Sequence, residues 1–182
     1  MDDVRITLQA VEDFDAGRKR ALEALRRAAF PPGERETEIP ARFTWAKGEW
    51  GALVENAKGT LVSYAGVTFR QVELDGRVMS LAGLGGVKTH PDWRRRGLAA
   101  RAVARILDYA REQAEVPFAM LFCRPGRMAY YASLGWSPFN GEIVMQQPGG
   151  AAAYLEAFRG MTAPLNEEAP VTGRLDIRGL PF

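Results

Sequence analysis

The chain has 182 residues, 47% of them apolar and 25% charged, with a formal net charge of +2. That composition excludes a disordered, collagen-like or coiled-coil chain, and a single domain over 1–182 could bury about 70% of the extended chain's surface. No uncharged apolar run reaches the roughly 18 residues of a membrane helix, and the near-neutral balance gives no ground for nucleic acid or an acidic lipid surface as partner.

In chain order, Val4 to Leu8 alternates apolar with polar residues and predicts a short half-buried strand. Phe14, Ala21, Leu22, Leu25, Ala28 and Ala29 then recur at helical spacing, with Arg18, Lys19, Arg20, Glu23, Arg26 and Arg27 on the other face, until Pro31-Pro32-Gly33 stops the helix. Residues 33–49, which hold Glu34, Glu36 and Glu38, show no period and read as a loop or irregular helix. Strand formers follow over 51–55 and 60–73, and Asp75-Gly76 signals a hairpin into a strand over 78–89 that Gly83, Gly85 and Gly86 interrupt. Glycine inside a strand marks a bulge or the close approach of another backbone or a ligand. Leu98, Ala102, Val103, Ile106, Leu107 and Ala110 form a buried helical stripe, 117–123 is an apolar strand, and 126–134 a shorter helix closed by Gly135. A strand is expected over 142–147, a helix over Ala151–Phe158 and a last strand over 172–178. The order predicts a mixed α/β fold: one central sheet of about seven strands flanked by helices.

The stretch Val87-Lys88-Thr89-His90-Pro91-Asp92-Trp93-Arg94-Arg95-Arg96-Gly97-Leu98-Ala99 joins the glycine-containing strand to the helix. Such a junction gathers unpaired N–H groups and the positive end of the helix dipole, which bind phosphate. Gly97 leaves room for close approach, and the arginines can neutralise phosphate charge or simply solvate a helix start. Neither a dinucleotide fingerprint nor a P-loop fits: Lys88 stands where the fingerprint's third glycine belongs, and Val87 precedes Lys88-Thr89 where a P-loop needs glycine.

Arg94-Arg95-Arg96-Gly97-Leu98-Ala99 resembles the Arg/Gln-x-x-Gly-x-Gly/Ala signature of the GNAT superfamily of N-acetyltransferases, and Tyr130-Tyr131-Ala132-Ser133-Leu134-Gly135-Trp136 is similar to its Tyr-x-x-x-Gly-Phe/Trp segment. The likeness covers residues 50–147, with 1–49 as opening strand, helix and acceptor-side loop, and 148–182 as a C-terminal helix and strand. The segments around Gly135-Trp136-Ser137-Pro138 and Asp176 to Phe182 look most like the aminoglycoside 2′-N-acetyltransferase branch. The resemblance implies a splayed sheet and acetyl-CoA as acyl donor, with no metal. It implies that Val87, Lys88 and Thr89 pair with the pantetheine arm, that residues Arg94, Arg95, Arg96, Gly97, Leu98 and Ala99 hold the pyrophosphate, and that a bulge at Gly85 and Gly86 presents an N–H to the thioester carbonyl. Tyr131 would protonate the departing thiolate, with Tyr130 the other phenol in reach of the motif. One departure is Cys123-Arg124-Pro125-Gly126, where many members carry an asparagine just after the strand.

The base stays open among His90, Glu73, Glu142 and the terminal carboxylate of Phe182, or none at all if the amine arrives neutral. Cys123 reads as a buried strand cysteine rather than a nucleophile. The acceptor expected is a small amine such as an aminoglycoside, polyamine or amino sugar, with a protein amine also open, and Glu34, Glu36 and Glu38 would meet a cationic one unless these are only solvated. A non-catalytic acyl-CoA-binding module is the alternative. The resemblance also suggests a homodimer. The single cysteine and the acidic start, where a secretion signal is basic, suit a reducing cytoplasm.

Overall fold

The computed structural model of the chain describes residues 3–31, 44–113, 115–148, 150–152 and 157–182. Glu34, Glu36 and Glu38 lie outside them, as does the 153–156 part of the expected helix over Ala151–Phe158. The elements run β1 (Val4–Ala10), α1 (Ala16–Ala29), β2 (Trp50–Asn56), β3 (Leu61–Leu74), β4 (Arg77–Thr89), α2 (Leu98–Glu112), β5 (Phe118–Cys123), α3 (Met128–Ala132), β6 (Ser137–Pro138), β7 (Glu142–Gln147), β8 (Gly150–Ala152), β9 (Arg159–Pro164) and β10 (Arg174–Asp176).

The long β3–β4 hairpin is the spine. Asp75 and Gly76 turn it with φ of +49° and +82°, the paired positive values that match the twist of the flanking strands. β2 and then β1 extend the sheet antiparallel from the first half of β3, and β10 takes up the last two residues of β3 before pairing in parallel with β7. On the other side β4 runs parallel to β5, which is antiparallel to β9, and β6 lies outside β9. The result is the expected mixed α/β arrangement, with 10 strands among the described residues where about seven were foreseen.

The additions are β6, β8 and β9. β8 corrects the expected helix over Ala151–Phe158: Gly150 to Ala152 pair back on β7 from Gln147 to Met145. Alanine's helix propensity is worth only tenths of a kcal/mol per residue, which strand pairing readily overrides. β9 escaped notice because Arg-Gly-Met-Thr-Ala-Pro carries almost none of the usual strand formers, yet Gly160, Met161, Thr162 and Ala163 are all buried in it.

The sheet has two covered faces. α2 lays Leu98, Ala102, Val103, Ile106, Leu107 and Ala110, as its stripe predicts, against Ala65, Val67, Ala82, Leu84, Ala119 and Leu121. Alternation sends Tyr64, Gly66, Thr68, Arg70 and Val72 of β3 to the other face. There α1, capped by the Asp15 carboxylate accepting from the Arg18 N–H at 2.6 Å, covers Leu53, Leu61 and Tyr64 through Leu25, together with Phe14 just before the helix. Farther along, the C-terminal segment covers Val72, Leu81, Phe118 and Met120 with Leu175, Ile177 and Phe182.

The glycines of β4 follow from that second cover. A Cβ at Gly83 would stand 2.0 Å from Cδ1 of Phe182, and one at Gly85 2.8 Å from the Phe182 carbonyl carbon. The close approach signalled by those glycines is made by the chain's own tail. Gly83→Ala is therefore expected to lower the free energy of unfolding by about 1–3 kcal/mol through overpacking. Combining it with Phe182→Ala should recover at least about 1 kcal/mol in a double-mutant cycle. Strictly additive urea-denaturation energies would contradict the contact.

Candidate active site

After the Leu84–Leu121 pair β4 and β5 part, so residues 85–89 keep β3 on one side and have no strand on the other among the described residues. At that point the β3–β4 register slips: Tyr64 faces Lys88 and Gly66 faces Gly85, leaving Gly86 and Val87 opposite Ala65. This is the bulge foreseen at 85 and 86, and Gly86 takes φ of +63° to make it.

Tyr64 supports the bulge from the α1 side. A Cβ at Gly51 would stand 2.6 Å from its ring, one at Gly66 2.9 Å from its hydroxyl oxygen, and one at Gly86 3.4 Å from its ring. The Lys88 ammonium sits 4.6 Å over the same ring. Burial pushes the Tyr64 phenol up to about 12, so it stays neutral.

Past Thr89 the chain makes a 3-10 turn at Pro91–Trp93, capped by His90, whose Nδ1 accepts from the Asp92 N–H at 3.3 Å. Arg95 and Gly97 then adopt φ of +60° and +72° on either side of Arg96, and left-handed residues in such a turn can gather main-chain N–H groups on one side. α2 starts immediately, and its cap is a glycine with no side chain to satisfy the first N–H groups. Among the described residues, and leaving aside its chain neighbours, nothing lies within 4 Å of where a Gly97 Cβ would be, so the space beside Gly97 is open.

The arginines divide their work. Arg94 donates from Nη2 to the Ala29 carbonyl at the end of α1, 2.9 Å away. Arg96 donates to the Asp92 carbonyl at 3.1 Å, with its guanidinium 4.8 Å over the Trp93 ring. Arg95 is exposed and makes no side-chain hydrogen bond or ion pair among the described residues. All three are exposed, and what sets Arg95 apart is the lack of such a partner.

Tyr131 lies on α3, in the same buried cluster as Leu84, Leu121 and Cys123 at the parting of β4 and β5. Its carbonyl accepts from the Leu134 and Trp136 N–H groups, and Gly135 closes the turn with φ of +88°. Its ring meets Trp136 edge-on at 6.1 Å, while Tyr130 is far more exposed. Desolvation holds the Tyr131 phenol well above its ordinary range. Cys123 is buried beside Met161, and its thiol is pushed up to about 11, which makes it a poor nucleophile.

The remaining carboxylates fall elsewhere. Glu73 accepts from Arg178 at 2.6 Å near the hairpin end of β3, and Glu142 pairs with Arg174 at 3.3 Å. Nine residues of strand, about 30 Å, separate Glu73 from Tyr64. Only Phe182 is brought to the bulge, its main chain lying over Gly85. The residue that sequence reading missed is Arg70. It reaches the tail from β3, donating to the Leu180 carbonyl at 2.6 Å and the Ile177 carbonyl at 3.3 Å. A lone arginine on the inward side of an alternating strand was the available signal.

A family model described as an acetyltransferase (GNAT) domain matches residues 16–139. Among solved structures, the chain is similar to a GNAT family N-acetyltransferase from Escherichia coli in complex with CoA, at 18% identity over 97% of this chain and 91% of that one, TM-score 0.62. It is also similar to an acyl-CoA N-acyltransferase from Pseudomonas aeruginosa, at 18% identity over 88% and 99%, TM-score 0.61. A GNAT family acetyltransferase from Staphylococcus aureus matches at 12% identity over 88% and 99%, TM-score 0.57. No curated protein matches.

The raised values of Cys123 and Tyr64 fix the sign of a pH effect. The unfolded chain loses these protons first, so their stabilisation is complete below pH 9.0, where an ordinary thiol ionises, and is lost as pH rises toward about 11 and about 12. Unfolding free energies should fall above pH 9 more steeply in the wild type than in Cys123→Ala. Equal slopes would show that the thiol is not desolvated.

Proposed function

Since the chain belongs to the GNAT acetyltransferase family, we propose that it transfers an acetyl group from acetyl-CoA to a primary amine by direct attack on the thioester. The observation that carries this reading is the strand edge left open over residues 85–89, continuous with the N–H cup at the start of α2. An extended pantetheine arm adds to such an edge as a strand would, through the main chain of Val87, Lys88 and Thr89. The N–H groups of residues 94–99 receive the pyrophosphate, and Arg95 supplies an outward charge.

The chemistry needs three things. The carbonyl oxygen gains negative charge as the amine attacks, and on this reading a main-chain N–H at the Gly86 bulge donates to it. The C–S bond then breaks, the sulfur takes the Tyr131 proton, which burial has kept on the phenol, and the phenolate regains a proton from solvent. The new ammonium loses its surplus proton to solvent, so no dedicated base is required. The family's small amines, among them aminoglycosides, polyamines and amino sugars, are the acceptor class to screen, and the buried thiol suits a reducing cytoplasm.

With acetyl-CoA and an amine panel, release of free thiol should depend on the amine; binding of coenzyme A without any turnover would instead favour an acyl-CoA-binding module. Tyr131→Phe is expected to lower kcat by about 10²-fold or more with little change in the KM for acetyl-CoA. Unchanged turnover would remove the tyrosine from the mechanism. Gly97→Val forces a β-branched residue to a positive φ and should weaken coenzyme A binding at least about tenfold by calorimetry.

A further inference from the structure

The gap between β4 and β5 has an apex, and it is filled. The last paired residues are Leu84 and Leu121. On the α2 side of that point lie Cys123 and Tyr131. On the other side Phe122, the first β5 residue past the parting, stacks with Phe182 at 6.3 Å between centroids and 28° between planes. The Phe182 ring occupies the space beside Gly83, and its main chain lies beside Gly85, so the residue spans the apex along β4.

Phe182 is held there from several directions. The Arg70 guanidinium lies 5.0 Å over its ring and donates to the Leu180 carbonyl at 2.6 Å. The Pro181 carbonyl accepts from the Ala46 N–H at 2.6 Å, and the Gly179 carbonyl from the Gln146 N–H at 2.8 Å. Phe182 is only 6% exposed. Two glycines in the interior of a central strand weaken that strand, and here Gly83 makes room for the Phe182 ring and Gly85 for its main chain. A packed interior moves as discrete side chains and does not stretch to admit extra atoms.

Resting on the acetyl-transfer reading above, we propose that the Phe122–Phe182 pair, braced by Arg70, sets the size limit of the acyl group. An acetyl group fits at the bulge beside Gly85 and Gly86, while a butyryl chain, longer by two methylenes, runs into the stacked rings. A shaped apolar pocket discriminates single methylenes by about 10- to 200-fold, which sets the scale of the effect.

The test is binding, and it needs no acceptor. Dissociation constants of coenzyme A, acetyl-CoA and butyryl-CoA are measured by calorimetry for the wild type, Phe122→Ala, Phe122→Leu and Phe182→Ala, with melting curves to confirm folding. The wild type should bind butyryl-CoA at least about tenfold more weakly than acetyl-CoA, and the butyryl-to-acetyl ratio should shift by about tenfold toward butyryl in the alanine variants. Phe122→Leu removes a ring with little loss of apolar volume, and it carries the test if Phe182→Ala does not fold. Equal wild-type affinities overturn the proposal, as does a ratio that no folded variant moves. Failure to bind coenzyme A at all would overturn the acetyl-transfer reading itself, whereas intact coenzyme A binding with an unmoved ratio would overturn only the size limit.

Discussion

Everything in this structure depends on β4 leaving β5 after Leu84 while remaining bound to β3. A strand in the middle of a sheet that lacks a neighbour leaves its N–H and C=O groups without partners, and such groups need water or a ligand to satisfy them. The unpaired stretch is short, five residues at 85–89 beyond the last β4–β5 pair. It is held straight by β3, whose 14 residues outrun β2 and reach the hairpin turn. The Gly86 bulge adds local twist at the parting, and Tyr64 fills the space beneath it. The opening therefore costs the fold little, because β3 and Tyr64 compensate on the far side.

The same constraint explains the tail. On the α2 face the gap is floored by α2 and Tyr131, but on the opposite face α1 covers only the end near Leu53, Leu61 and Tyr64. The stretch near Gly83 and Gly85 would be bare without residues 177–182. Ile177 and Phe182 bring buried apolar surface there, and their neighbours hydrogen-bond to Ala46, Arg70 and Gln146, which come from three separate parts of the chain. One face of the opening is thus set by sequence-local elements and the other by the last residues of the chain.

That division decides what could be read from the sequence. Local pattern carried the α2 stripe, the Asp75-Gly76 hairpin, the bulge glycine and the two short motifs, because each is encoded within a few residues of where it acts. The reading of Gly83 and Gly85 identified a close approach but not its partner, since Phe182 lies about 100 residues away in sequence and no periodicity links them. β9 was invisible for a related reason: its residues become strand through pairing with β5 and carry little strand preference of their own. Glu73 and Glu142 entered as candidate bases on residue type alone, and their arginine partners in the second half of the chain could be found only in three dimensions.

The arginines show how the charge count misleads at close range. Arg94 opens the motif whose family binds pyrophosphate, yet its guanidinium serves a carbonyl at the end of α1. Those last carbonyls have no helical partner and carry the negative end of the helix dipole, so a cation there is favourable by about 0.3–1 kcal/mol. Arg70 does similar work for the tail, and burial lowers its pKa, which measures what the site gives up to keep a charge there. Both bonds join the opening to segments that approach it from outside the central sheet: Arg94 ties the cofactor-side loop to α1, and Arg70 ties β3 to the chain end over Gly85. Two of the positive charges in this region thus serve to shape the opening, and Arg95, the member of the triplet with no side-chain hydrogen bond or ion pair among the described residues, has no such structural task.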